Sequence, residues 1–295
     1  MDLVNGTPHV ELAQAEHIGS FRCPLRYNAA VNVASAMVEG ARLRLRRPVS
    51  SLRAYVGCFW SIETTPATRL RTLPDACATL SIESGRSKAL ECFLVGPRQT
   101  PAERVPATGQ TLFGVRLKPG VTLVFIGIPV HTLVERRIRL SALLPEVGSR
   151  LKKRLAGTRT VDEGIDVLER FLIERLSDTQ IDSRVQMALK RIEECSGQIR
   201  IGQLARDCQV SLRHLDRLLR NWVGFSPKRL ARIMRFQALL QHMETSPSDC
   251  STRVAAELGY FDQAHLANEV TLFAGTSPGR IAPHGVADFA KTRCE

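Results

Sequence analysis

Between residues 41 and 128 the apolar residues fall in short runs in which every second position tends to be apolar. The runs lie at Leu43 and Leu45 and at residues 56–62, 70–73, 78–82, 90–95, 112–117 and 121–128. A period of two is typical of β-strands. The segments between the runs are rich in Pro, Gly, Ser and Thr, which favour turns. About seven short strands at this spacing predict a small β-barrel or sandwich at residues 41–145, and not a doubly wound sheet.

After Leu140 the spacing of apolar residues becomes helical. Apolar positions three and four residues apart predict two helices in a connector at residues 146–180. The connector could cover the open face of the barrel, or it could pair with its copy in a second subunit. Its last residues, 177–180, predict a hinge. Residues 1–40 carry little pattern and predict a loosely held extension, and residues 286–295 form a tail.

A short motif occurs twice in the last third of the chain. Gly224 and Ser226-Pro227 return 51 residues later as Gly275 and Ser277-Pro278. Glycine can adopt the left-handed backbone that ends a helix, serine caps the next helix, and proline fits its first turn. Each motif therefore predicts a helix, a tight stop and a new helix. Paired short helices joined by a tight turn are a common means of placing a helix in DNA.

The first unit predicts a short helix at residues 201–208, a turn, and a second helix that Ser211 caps and that ends at Val223. The predicted buried stripe of this second helix consists of Leu212, Leu215, Leu218, Leu219 and Trp222. Its opposite face carries Arg213, His214, Asp216, Arg217, Arg220 and Asn221. Arg213 and Arg217 lie one turn apart near the helix N-terminus, where a recognition helix meets base edges, and their guanidinium groups suit guanine. Further basic residues are expected to hold phosphates: Arg220, Lys228, Arg229, Arg232 and Arg235.

The second unit predicts a helix from Val254, a turn near Phe261, and a helix at residues 263–274. Residues 199–235 contain nine basic and two acidic residues, whereas residues 236–285 contain two basic and five acidic ones. Phosphate attraction by the second unit should therefore be weak, although Gln263 and Asn268 could read adenine. A helix at residues 226–243, about 27 Å long, would set the two units in successive major grooves.

His214 and His265 occupy matching places in the two units. Each of them is followed by a leucine that faces the core. Two interpretations stay open for each histidine: it has a packing or capping role, or it contacts a base or phosphate.

These residues resemble the AraC family of transcriptional regulators, whose DNA-binding domain has two helix-turn-helix units joined by a long helix. The resemblance covers about residues 181–285. It is carried by Leu204-Ala205, Ser211, Leu215, Arg217-Leu218, Gly224, Ser226-Pro227, Ala255, Glu257-Leu258-Gly259-Tyr260, Asp262-Gln263, His265-Leu266, Gly275 and Ser277-Pro278. It implies base contacts by Arg213, Asp216 and Arg217 in the first unit and by Gln263, Ala264 and Asn268 in the second. Where the family usually has arginine or lysine on the second recognition helix, this chain has Asn268, Thr271 and Leu272.

A second resemblance covers about residues 50–145. The segments 71–77, 95–98 and 113–120 are similar to the β-barrel sensor domain that precedes the DNA-binding domain in one branch of the same family. This similarity implies a cupin-like effector or regulatory domain. The fold class expected for the whole chain is thus α+β, with a barrel, a helical connector and an all-α double helix-turn-helix domain at residues 181–285.

Composition agrees with a DNA-binding protein. The chain has 41 Lys and Arg against 29 Asp and Glu, a net charge of +12, which favours a polyanionic partner. Residues 1–145 hold 18 basic and 10 acidic residues, so net charge alone does not locate the DNA site. The eight cysteines form no CxxC motif, which indicates a reduced, cytoplasmic chain. No apolar run approaches the ~18 residues of a membrane span, so we expect no membrane partner.

Two other classes of protein compete with a sequence-specific regulator. Cys77 beside Asp75, with His131 in the same predicted domain, could form a thiol nucleophile and base or a redox sensor. Alternatively, the spread of basic charge suits a non-specific or architectural DNA-binding protein. His131 is the one histidine in residues 41–145, so ligands for a metal are missing there.

We expect a transcription factor that binds double-stranded DNA, without catalytic residues, metal or cofactor. RNA polymerase, a small-molecule effector and a second copy of the chain stay open as partners.

Overall fold

A computed structural model describes residues 36–84, 90–176, 180–246 and 251–281. Residues 1–35 of the extension predicted at 1–40, residues 177–179 of the predicted hinge and the tail at 286–295 lie outside these described residues. Residues 36–40 differ from the prediction of a loosely held extension, because they belong to a strand that starts at Ala36. The described chain contains two hydrophobic cores. One lies between a β-sheet and the helices that follow it, and the other lies among the C-terminal helices.

Seven strands form one antiparallel sheet. They are β1 (Ala36–Arg46), β2 (Val56–Thr72), β3 (Ala78–Ser84), β4 (Leu90–Val95), β5 (Ala102–Arg104), β6 (Thr111–Leu117) and β7 (Arg137–Arg139). The strand order is β1-β2-β6-β3-β4-β7, and β5 pairs with the second half of β2. The expected α+β class is confirmed, but in the described residues the sheet stays open and does not close into a barrel.

Two details of the strand prediction are wrong. Strand β2 contains both the 56–62 and the 70–73 runs, and the segment between these two runs, which was predicted to form a turn, continues as strand. The 121–128 run is not a strand but a helix, α1 (Val121–Ile126), between Gly120 and Gly127, which both have positive φ angles of 85° and 74°. A continuous apolar run fits a buried helix as well as a buried strand, so periodicity could not distinguish them.

Three helices follow the sheet: α2 (Leu140–Leu143), α3 (Pro145–Leu155) and α4 (Val161–Leu176). Helix α4 packs on the sheet, and a Cβ added at Gly164 would lie 2.7 Å from Cζ of Phe113. Arg46 at the end of β1 donates hydrogen bonds to Asp166 at 2.6 Å and to Glu169 at 3.0 Å. The helices of the connector therefore cover one face of the sheet, which is the first of the two alternatives.

A charged cluster stands on another part of the sheet. Glu83, which is buried, accepts two hydrogen bonds of 2.6 Å from Arg104 and forms an ion pair of 2.7 Å with Arg137. The Arg137 guanidinium lies 3.3 Å from the centre of the Phe93 ring. Burial alone would raise the pKa of Glu83, but the hydrogen bonds from the two arginines outweigh it and the pKa is lowered.

The C-terminal part contains six helices. They are α5 (Ser183–Glu194), α6 (Ile201–Asp207), α7 (Leu212–Val223), α8 (Pro227–Thr245), α9 (Thr252–Glu257) and α10 (Gln263–Ala274). Helix α8 runs through the middle, with the Phe236 ring 5.2 Å from that of Phe273 on α10. Its 19 residues give a length of about 28 Å. None of the described helices combines the length and the apolarity that a bilayer span requires.

The sheet and the C-terminal helices are in direct contact. Leu73 and Ala76, just after β2, belong to the same hydrophobic core as the C-terminal helices. Gln237 on α8 donates a hydrogen bond of 2.6 Å to the carbonyl oxygen of Pro74, and both groups are buried. The Arg71 guanidinium donates to the carbonyl oxygen of Ala274 at the end of α10. These contacts fix how the helix-turn-helix units stand relative to the sheet.

Candidate nucleic-acid interface

The first helix-turn-helix unit forms as the sequence predicts. The Ser211 hydroxyl accepts a hydrogen bond of 3.2 Å from the backbone N–H of His214 and caps α7. Helix α7 ends at Gly224, whose φ angle is 96°, a conformation that favours glycine. Leu215 and Leu219 are buried, as expected. Leu212 is not: it is 57% exposed, because it stands at the first turn of α7 where the helix extends beyond the core.

Arg213 and Arg217 lie on the exposed face of α7. Within the described part of the chain, neither of them makes a hydrogen bond or an ion pair. Arg220 donates a hydrogen bond of 2.7 Å from Nε to Asp216, one turn earlier on the same helix. An exposed pair of this kind contributes at most about 1 kcal/mol, so DNA can displace it. The face thus offers two arginines free to bind and a third that is loosely held.

The long helix α8 differs from the expectation. Ser226 accepts a hydrogen bond of 3.3 Å from the backbone N–H of Arg229 and caps α8, and Lys228 is exposed. Arg229, Arg232 and Arg235, which were expected to hold phosphates, are half-buried. Arg229 donates to the Gln99 carbonyl oxygen at 3.0 Å.

The other two arginines of α8 also bind groups within the protein. Arg232 binds the buried carboxylate of Glu269 with Nε at 3.1 Å, and Arg235 donates to the Gly197 carbonyl oxygen at 3.2 Å. The hydrogen bond with Glu269 raises the pKa of Arg232, although burial opposes it. Burial, and then the charge of Arg232, lowers the pKa of Arg229. The three side chains join parts of the protein and do not form an open phosphate surface.

His265 has a capping role in the second unit. The Asp262 carboxylate accepts a hydrogen bond of 2.6 Å from the backbone N–H of His265. In return, Nδ1 of His265 accepts one of 3.2 Å from the backbone N–H of Phe261. The two bonds cap the start of α10 in a variant of the capping box, in which the returned bond comes from Phe261, the residue before the N-cap Asp262. These bonds support a capping role for His265, and a contact of its ring with a base or phosphate stays a prediction.

The exposed face of α10 is uncharged. Gln263, Ala264 and Asn268 are exposed, whereas Glu269 points inward to Arg232 and is 6% exposed. The sequence did not single out Phe261, which is 92% exposed immediately before the cap of α10. Phe261 directly follows Tyr260, which is buried, and the sequence alone therefore does not distinguish it from a core residue.

The recognition face of α7 opens into a groove, and one wall of the groove comes from the N-terminal part of the chain. His131, in a short 3-10 turn at Val130–Thr132, lines the groove together with seven residues of the first unit. These seven are Ser211, Arg213, His214, Asp216, Arg217, Arg220 and Asn221. His131 therefore stands beside the recognition helix. The five predicted DNA contacts on α7 share this groove, and Lys228, Gln263, His265 and Asn268 lie apart from it.

The alternative thiol site has no support in the geometry. Cys77 is buried, and Asp75 accepts a hydrogen bond of 3.1 Å from its backbone N–H while forming an ion pair with Arg116. The carboxylate is thus already engaged by a cation. Burial and the neighbouring Glu91 raise the pKa of the Cys92 thiol to about 12. Across the described residues, no three His, Cys, Asp or Glu side chains cluster so as to hold a metal ion.

Two family models match parts of this chain. Residues 204–282 match the family model described as a helix-turn-helix domain, and residues 45–139 match one described as a domain of unknown function (DUF6597). None of the curated protein sequences matches significantly.

Among solved structures, three of Vibrio cholerae ToxT are similar to the chain. ToxT from strain O395 has 9% identity, a TM-score of 0.38, and coverage of 83% of this chain and 96% of that one. The same protein bound to (E)-4-(8-methylnaphthalen-1-yl)but-3-enoic acid has 10% identity, a TM-score of 0.40, and coverage of 83% and 96%. Wild-type ToxT from strain SCE256 with an unsaturated fatty acid has 9% identity, a TM-score of 0.38, and coverage of 83% and 93%.

Two capped helix-turn-helix units joined by one long helix, with a cationic face on the first recognition helix, define a DNA-binding transcriptional regulator. An antiparallel sheet precedes the two units. This organisation and the helix-turn-helix family match at residues 204–282 support an AraC-type regulator, as the motifs around Ser211, Gly224 and Gly275 predicted.

Proposed function

We propose that the first helix-turn-helix unit carries most of the sequence-specific recognition of DNA, through Arg213 and Arg217. The observation that supports this most is their freedom: both are exposed on α7, one turn apart, while the neighbouring arginines of α8 are bound within the protein. A free guanidinium near the start of a recognition helix can make two hydrogen bonds to O6 and N7 of guanine. Asp216 and Arg220 contribute once DNA opens their exposed ion pair, and His214 and Lys228 add contacts beside the bases.

In this proposal the second unit reads DNA weakly. Gln263 and Asn268 are exposed on α10 and could accept and donate hydrogen bonds to adenine. The α10 face offers no cation to phosphate, and His265 is used as a cap. Helix α8, about 28 Å long, would separate the two recognition helices by roughly one DNA turn of ~34 Å.

The proposed domain organisation places the regulatory domain at residues 41–145, the connector at 146–180 and the DNA-binding domain at 181–285. Regulation through the N-terminal domain is supported by the hydrogen bonds of Gln237 to Pro74 and of Arg229 to Gln99, which join it to α8. A change in the sheet would therefore reach the helix that holds the two units. A small-molecule effector, RNA polymerase and a second copy of the chain are the proposed partners besides DNA. The protein would act in the cytoplasm, where its DNA is, and without enzymatic activity.

The alternative is a non-specific or architectural DNA-binding protein, which the high net charge of +12 favours. Selection of bound sequences from random duplex DNA with the full chain separates the two. A regulator should yield a motif with one or two guanines at the positions opposite Arg213 and Arg217. Bound DNA without any enriched motif would contradict the proposed sequence specificity and favour the architectural alternative.

The length of the recovered motif tests the second unit. A motif confined to about 5 to 7 base pairs indicates base reading by the first unit alone, and one that resumes after about 10 base pairs indicates that both units read bases.

A further inference from the structure

The recognition face of α7 ends against the N-terminal part of the chain. Because their spacing is four, three and four residues, Arg213, Arg217, Arg220 and Gly224 lie in one row along the helix. A Cβ added at Gly224 would be 2.8 Å from Cγ2 of Val134. The segment that contains Val134 therefore touches the same side of the helix on which the arginines stand.

His131 is the side chain that this segment presents to the recognition face. His131 is exposed and directly follows Val130 in the chain. Val130 also faces Gly224, because a Cβ added at Gly224 would lie 3.3 Å from Cγ1 of Val130. His131 lines the groove opposite Arg213 and Arg217. The groove thus has the recognition helix on one side and an imidazole of the N-terminal part on the other.

The charges on this side of the groove distinguish a segment that blocks the recognition helix from one that helps to bind DNA. A segment that blocks the recognition helix should offer carboxylates to the arginines, as DNA offers phosphates. Among the groove-lining residues Asp216 is the one acid, and its partner is Arg220 on its own helix.

The acidic residue nearest His131 on the same segment, Glu135, is also directed elsewhere. Its carboxylate forms an ion pair with Arg98 and accepts the backbone N–H groups of Gln99 and Thr100 at 2.7 and 2.8 Å. The groove is lined with arginine and histidine, and its walls are complementary to a phosphate chain.

We propose that the N-terminal part of the chain is a component of the DNA interface, and that His131 donates a hydrogen bond from its ring to a backbone phosphate beside the major groove that α7 enters. The inference rests on the proposed function of α7. It adds a contact outside the helix-turn-helix units, and it makes the position of the N-terminal part a determinant of affinity. Because phosphates carry no sequence information, the contact strengthens binding to all DNA alike.

The test measures binding of the full chain to a mixed-sequence duplex of about 40 base pairs, four helical turns, at several salt concentrations. His131→Ala should weaken binding about three- to tenfold, as for the loss of one ordinary hydrogen bond, because the contact lies at an exposed side chain. His131→Lys should recover the affinity and steepen the dependence of log K on log salt by about 0.9 relative to His131→Ala, since one more cation meets a phosphate. Lys153→Ala, at an exposed cation that does not line the groove, is the matched control and should bind as the parent does.

Arg217→Ala, measured on a duplex of the same length that carries the selected motif, separates a failure of this inference from a failure of the proposed function. If Arg217→Ala weakens binding but His131→Ala binds as the parent does, the inference is wrong and the function of α7 stands. If His131→Ala binds more tightly, the segment obstructs DNA and the inference is wrong in the opposite direction. If Arg217→Ala also leaves affinity unchanged, the proposed function of α7 is wrong as well. Unfolding midpoints of all variants, which should match the parent for His131→Ala because the side chain is exposed, exclude a folding defect.

Discussion

Arg217 on α7 and Arg232 on α8 have different surroundings, and we therefore expect them to have different functions. Arg217 is exposed on α7, whereas Arg232 on α8 binds the buried carboxylate of Glu269. We predict that Arg217→Ala lowers DNA affinity and leaves the stability of the fold unchanged. Arg232→Ala should do the reverse, with a lower free energy of unfolding and little change in DNA affinity of the folded protein.

The expected magnitudes follow from burial. Removing one partner of a fully buried ion pair costs about 3 to 5 kcal/mol, because the other charge stays buried without a partner. Glu269 is nearly inaccessible, but the Arg232 side chain is 32% exposed, so water reaches part of the site. We therefore expect Arg232→Ala to lower the free energy of unfolding by about 1 to 3 kcal/mol. For Arg217→Ala we expect a loss of about 1 to 3 kcal/mol in binding to a selected site, and a change in unfolding within about 0.5 kcal/mol.

Urea unfolding and DNA titration on the same preparations measure both quantities. Glu269→Gln is a useful companion variant, because it removes the charge of the partner and keeps its shape. It should be destabilised like Arg232→Ala, and the double variant should lose less than the sum of the two, as residues in contact do. The reasoning would be refuted if Arg232→Ala kept its stability but lost DNA affinity, since Arg232 would then bind phosphate and not Glu269.

Three further predictions concern separate features. Arg213→Ala should weaken binding to the selected site more than Asn268→Ala does, because the α10 face has no cation; an equal or larger loss at Asn268 in the same titration contradicts this. Glu83→Gln should lower the free energy of unfolding by about 1 to 2 kcal/mol. The pKa of Glu83 in the folded protein lies below its ordinary value of 4.5. The loss of free energy of unfolding in Glu83→Gln should therefore be complete above pH 4.5 and become smaller as the pH falls below that value. Urea unfolding of both proteins at a series of pH values would measure this loss. Cys92, with a pKa of about 12, should react with a thiol reagent much more slowly than the half-exposed Cys195, as peptide mass analysis of the labelled native protein would show; equal labelling would mean that the sheet opens.

The local signals in the sequence predicted the helix-turn-helix units well. Helix α7 begins after Ser211 and ends at Gly224, as predicted, because a cap bond and a left-handed glycine depend on residues within one turn. The same holds for the start of α8 after Ser226. Ser277 is a partial exception: it precedes a 3-10 turn at Pro278–Arg280 and makes no side-chain cap bond.

Features that depend on distant residues could not be predicted in the same way. The 121–128 run forms a helix because Gly120 and Gly127 turn the chain at both ends, and its residues Val121, Phe125 and Ile126 are then buried. The place of His131 beside α7 depends on how the sheet docks on the C-terminal helices, which no local pattern in the sequence expresses. Such contacts join residues about 90 positions apart, and periodicity reports only on neighbours along one element.

The number of basic residues in the first unit is larger than the number that can bind DNA. Residues 199–235 contain nine basic residues, but five of them bind groups within the described chain, namely Arg206, Arg220, Arg229, Arg232 and Arg235. Each phosphate neutralised by a cation contributes about 0.9 to the slope of log K against log salt. The four cations that bind no group within the described chain, together with Arg220 once its exposed ion pair opens, therefore predict a slope of at most about −4.5 for this unit, and nine would predict about −8. A measured slope near −8 would mean that the internally bound arginines turn outward on DNA, whereas a slope near −4 would mean that they hold the protein together while the exposed side chains of α7 bind.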